Sequence, residues 1–103
     1  MILLNVITKD EKVLNTIIQQ VLEHKFSKSV QLDHEVNFYL HGSEVREIKT
    51  PKESFITKAL LYKEIEEMLF DIAGSHNITI YSIPIGQMNE AYANEIRNYL
   101  KAV

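Results

Sequence analysis

The residues best suited to chemistry lie close together near the middle of the chain. His34, Glu35, His41 and Glu44 offer imidazole and carboxylate donors, and borderline metals such as zinc, copper and nickel accept both types. His34 and His41 are seven residues apart, so on an extended strand they point to opposite faces. A shared site therefore needs a residue from another chain, and His76 is the candidate. The expected metal set is His34, His41, Glu44 and His76, weighed against the commoner outcome of a solvated polar edge. His34 by itself reads as a ligand or pH-sensing group between subunits, or as an imidazole that has found a hydrogen-bond partner; buried polar groups usually do the latter. Tyr39 and Tyr81 are the candidates for lining a small-molecule cleft, although aromatics on a sheet surface are more often structural. Glu64 and Glu67 form a carboxylate pair on a charged helix face, without the desolvation that prepares a catalytic acid.

These side chains need a scaffold, and the periodicity supplies one. Ile2 to Ile7 is an unbroken apolar run apart from Asn5, and reads as a strand buried on both faces. Thr8 to Glu11 has capping-box spacing for a helix start. Val13/Leu14, Ile17/Ile18 and Val21/Leu22 then recur every four residues, giving that helix one apolar face. From Val30 to His41 apolar and polar residues alternate, with His34 on the apolar parity: Val30, Leu32, His34, Val36, Phe38 and Leu40 against Gln31, Asp33, Glu35, Asn37, Tyr39 and His41. That period of two predicts a long strand with one face in the core and one in water. Gly42-Ser43 is a tight turn, and Glu44 to Ile48 starts the return arm.

Thr50-Pro51-Lys52 is expected to interrupt that arm, because proline cannot donate to the ladder. Glu53 to Leu61 fits a helix by its apolar spacing, while a strand through Ser54 to Lys58 fits the topology better. A helix follows with Leu61, Ile65, Met68, Leu69 and Ile72 inward, ending at Gly74 in a left-handed cap. Asn77 to Ile85 reads as a fourth strand with Pro84 marking an edge. Asn89 caps a last helix whose inward stripe is Tyr92, Ile96, Tyr99 and Leu100. The order β-α-β-β-α-β plus a terminal helix is that of an α+β, ferredoxin-like sandwich with an antiparallel sheet, expected as a single domain over 1–103.

Composition narrows the function classes. The chain has 103 residues, a formal charge of −3 and two arginines, Arg46 and Arg97, so nucleic acid meets net repulsion. With no cysteine there is no thiolate zinc site and no thiol nucleophile. The three glycines, Gly42, Gly74 and Gly86, sit singly at turn-like positions and build no phosphate loop. Thr8 to Lys12 carries no arginine for a phosphate cradle of the acylphosphatase kind. The opening residues lack a basic leader and no run approaches a membrane span, so a cytoplasmic protein without membrane contact is expected.

Phe38-Tyr39-Leu40-His41-Gly42 followed by Glu44, Tyr62 with Ile65 and Leu69, Ile83-Pro84-Ile85, and Asn89 with Tyr92 together resemble the CutA divalent-ion tolerance family. Leu40 stands where that family has tryptophan, and Ala73 to Asn77 replaces its His-Pro-Tyr-Glu-Val-Pro stretch. The resemblance implies a non-enzymatic homotrimer whose long hairpin arms pair between subunits, binding a divalent metal ion (copper or zinc) or a small ligand at the interfaces. A P-II-like signalling module, with Gly42 to Ser54 as a recognition arm for a nucleotide or a partner protein, is the alternative that the shared core fold implies.

Overall fold

The computed structural model describes residues 1–75 and 77–103. Ile2–Ile7 forms β1, Glu11–Glu23 α1, Gln31–His41 β2 and Glu44–Thr57 β3. A single 3-10 turn, Ala59–Leu61, leads into α2 at Tyr62–Ala73, and Thr79–Pro84 (β4) and Glu90–Tyr99 (α3) complete the order. The four strands make one antiparallel sheet, β2-β3-β1-β4. This is the expected ferredoxin-like arrangement, with the extra helix at the C-terminal end.

β1 is central, paired with β3 on one edge and β4 on the other. Leu4 and Val6 are fully buried on the helix side, where they join Ile17 and Val21 of α1, Phe55 of β3, and Ile65 and Leu69 of α2. Burying side chains of this size contributes roughly 1.5–3 kcal/mol each before conformational entropy is charged. On the opposite face Asn5 is also buried and accepts a hydrogen bond from Ser54 Oγ at 2.7 Å.

α1 starts later than its capping-box spacing suggested. Asp10 is the N-cap, its carboxylate accepting from the amides of Lys12 and Val13 at 3.0 and 3.4 Å. Thr8 instead turns its hydroxyl to the Asp10 amide. The helix ends in a Schellman motif, with Phe26 N–H bonded to the Val21 carbonyl and Lys25 N–H to that of Leu22. The left-handed position of that motif is held by Lys25, at φ +56°, where glycine is the usual occupant. Gly74 does take a positive φ of +80° after α2, but its ψ of 140° lies outside the left-handed helical region expected for it.

Three expectations are corrected. β3 is not interrupted but runs unbroken through Pro51, which pairs with His34. β1 ends opposite Lys52, so Pro51 has a partner strand on one side only, and there the lost donor is tolerated. Second, the apolar face of β2 does not enter the core: Leu32, Val36, Phe38 and Leu40 are 44%, 45%, 67% and 70% exposed. Past Lys52 the β2–β3 pair has left the rest of the sheet behind and projects as a two-stranded ribbon, which gives the molecule its 50 Å length. Third, α3 buries Ala93 and Ile96, followed by Leu100, while Tyr92 and Tyr99 lie at the surface.

Candidate functional site

The register assigns each candidate to a face. On the ribbon, Leu32, His34, Val36, Phe38 and Leu40 share a side with Glu53, Pro51, Lys49, Glu47 and Val45. Asp33, Glu35, Tyr39 and His41 share the other with Lys52, Thr50, Arg46 and Glu44. His34 thus sits opposite Pro51 amid an exposed apolar stripe. His41 stands directly opposite Glu44 at the ribbon tip, beside the Tyr39–Arg46 pair. A rise of about 3.3 Å per residue separates His34 from His41 by about 23 Å along the strand, in addition to the change of face. His76 falls outside the described residues. Among the described residues no three histidine, aspartate or glutamate side chains gather closely enough to hold a metal ion.

The tip pair has the chemistry of a partial site. An imidazole and a carboxylate directly across an antiparallel pair have Cβ atoms about 5 Å apart, close enough to share one small cation. The turn that holds them is fixed by Gly42, whose φ of +66° at the first loop position suits a two-residue hairpin.

Tyr39 and Tyr81 share a sheet face but not a cleft. Tyr81 lies in the row Gln31–Ser54–Asn5–Tyr81. Tyr39 is eight positions along β2 from Gln31, which is about 26 Å of strand. The row around Asn5 is polar and half satisfied: Ser54 donates to Asn5 Oδ1, while Asn5 Nδ2 is buried with no partner. One row further, Lys52 pairs with Glu35 at 2.6 Å, and that hydrogen bond raises the Lys52 pKa above its ordinary value.

The sequence patterns did not point to a cleft of about 510 Å³ where β1 meets α1 and β4, lined by Thr8, Lys9, Asp10, Thr50, Asn77 and Thr79 among others. Its hydroxyls come from just past the end of β1, the middle of β3 and the start of β4, which no local spacing reveals. At its edge the α1 amides of Lys12 and Val13 are already taken by the Asp10 carboxylate, which would also repel an anion there.

No protein-family model and no curated protein sequence matches the chain. Solved structures do. CutA1 from Pyrococcus horikoshii superposes with a TM-score of 0.82 at 19% identity, over 99% of this chain and 100% of that one. The chain folds as the CutA proteins do. The periplasmic divalent cation tolerance protein CutA from Archaeoglobus fulgidus has the same CutA fold, with a TM-score of 0.78 at 16% identity over 98% and 100% of the two chains. CutA1 from Oryza sativa matches at 0.81 and 14%, over 99% and 94%. At such identities what is shared is the CutA fold, including the long ribbon.

Proposed function

We propose that the chain is a CutA-like protein that forms homotrimers through its β2–β3 ribbons and binds a divalent metal ion or a small ligand where subunits meet, in the service of divalent-ion tolerance. The observation that carries this reading is the ribbon itself. It presents Leu32, Val36, Phe38, Leu40 and Val45 to solvent on one side, an apolar stripe interrupted by His34 and flanked by Lys49 and Glu47, which an isolated chain has no means of covering. Its outer strand, β2, also has a free hydrogen-bonding edge, and a long free edge invites a partner chain. Several structures of the same fold are described as divalent cation tolerance proteins, which supports the ion-related role.

In this reading His41 and Glu44 supply one half of a cation site and a neighbouring copy the rest, with His34 and His76 as the remaining donors. Tyr39 and Tyr81, far apart in one chain, face one ligand only if two chains contribute. Light scattering on a sizing column tests the assembly: a mass about three times the 12.0 kDa chain is expected, and a strict monomer refutes it. Calorimetry then tests the ligand. Heat with copper or zinc that His41→Ala abolishes is expected; heat with ATP or ADP and none with either metal turns the assignment to a P-II-like module.

A further inference from the structure

Glu53 is the only ionisable side chain buried among the described residues, at 0% exposure, and neither carboxylate oxygen has a hydrogen-bond partner. It lies on the helix side of the sheet, in the row Leu32–Glu53–Val6–Ile80, with Phe55 and Pro51 as its same-face neighbours along β3. The elements around it bring no charge close. β1 presents Leu4 and Val6, and β4 presents Ile80 and Ser82, with Ile78 just before it. α1 turns Leu14, Ile17 and Val21 inward, and α2 turns Ile65 and Leu69. The titratable groups on the same sheet face are His34 of β2, opposite Pro51, and Lys49 and Glu47 further along β3, all exposed. An ionised carboxylate here has lost its water and gained nothing in return. Burial alone pushes the Glu53 carboxyl up to about 8.

The surroundings are asymmetric. Val6 lies on the central strand β1, with Ile80 beyond it, but Leu32 belongs to the edge strand next to β3 and is already 44% exposed. We propose that Glu53 is a proton-controlled switch at the foot of the ribbon: neutral, it stays in the core; ionised, it swings out past Leu32 toward His34 and Lys49 and loosens β2 from β3. The groups that set the device lie within one chain, but Leu32, past which the carboxylate leaves, belongs to the stripe that the trimer reading places between subunits, so ionisation is expected to oppose assembly as well as to loosen β2.

The sign follows from proton counting. Between the unfolded value of 4.5 and about 8 the folded chain holds a proton that the unfolded chain has lost, so stability falls as pH rises through that window and levels off above it. The experiment is a carboxyl-carbon NMR titration of the full chain, with amide signals followed alongside and urea unfolding of wild type and Glu53→Gln at pH 5 and pH 9. The expected midpoint for Glu53 is near 8, with the amides of Leu32, Asp33 and Glu53 broadening at the same pH. The wild-type folding constant is expected to drop by roughly 100-fold more than that of Glu53→Gln, the ceiling being ~3000-fold for the full displacement. If Glu53→Gln does not fold, Glu53→Met takes its place, and the wild-type titration needs neither. A midpoint near 4.5, parallel unfolding curves, or a midpoint near 8 with unchanged β2 amides each overturns the switch.

Discussion

Lys25 is in an unusual conformation for its type. A side chain with a Cβ pays about 1–2 kcal/mol for left-handed backbone that glycine adopts freely. Here the strain is offset by what Lys25 touches: its ammonium lies 5.6 Å from the centre of the Tyr99 ring, and its carbonyl accepts from the Lys101 amide at 2.8 Å. Neither Gly nor Ala keeps the ring contact, so comparing those two variants isolates the backbone term. Lys25→Gly is expected to be more stable than Lys25→Ala by about 1 kcal/mol in urea unfolding. The N-cap of α1 is the other residue with a separable effect. Asp10→Ala leaves the Lys12 and Val13 amides to water and is expected to cost about 1 kcal/mol, with a lower thermal midpoint as the readout.

Among the elements, β1, α1 and α2 were legible because their apolar periods are long and unbroken, and their inward residues Leu4, Val6, Ile17, Val21, Ile65 and Leu69 form the core. β2 was legible as a strand but not in its burial. Alternation reports two unlike faces, and it does not say whether the apolar one meets a core or another molecule. β3 was legible only in pieces. Pro51 hid its continuity, since the sequence gives no sign that β1 stops one residue short of it. Once the two halves are joined, Glu53 falls on the parity of Phe55, and a carboxylate in step with a core phenylalanine is the signal that the break concealed. Of the candidate residues, only the placing of His34 and His41 on opposite faces was legible, because it follows from their odd spacing, while the cleft of Thr8, Thr50 and Thr79 depends on long-range topology. The ribbon's energetic separateness is testable. Phe38→Asp with Leu40→Asp is expected to change the unfolding midpoint of a dilute chain little, since both side chains are already mostly in water, but to lower the mass seen by light scattering to that of one chain.

Across the whole molecule, the C-terminal segment fastens the helix layer. Lys101 pairs with Glu64 of α2, its amide bonds to Lys25 after α1, and its carbonyl accepts from Lys58 after β3. These contacts are numerous but exposed, and exposed ion pairs contribute about 0–1 kcal/mol. Leu100 beside them is 4% exposed. Magnitudes therefore single out the apolar residue: Leu100→Ala is expected to cost about 2–5 kcal/mol and Lys101→Ala less than 1, measured by denaturant unfolding.

The central place of β1 has a consequence for how the chain acquires its shape. β2 and β3 meet across a two-residue turn, so the ribbon can zip up from Gly42 as soon as both arms exist. β1 must wait, because its two neighbours arrive late: Ile2 pairs with Thr57 on one side and with Pro84 on the other. Closing loops of that length is the slow entropic step. During synthesis Ile2–Ile7 is made before either neighbour, a sticky apolar segment kept waiting on one edge until Thr57 and on the other until Pro84 has been delivered, and this interval is when the newborn protein most needs shielding from its own kind.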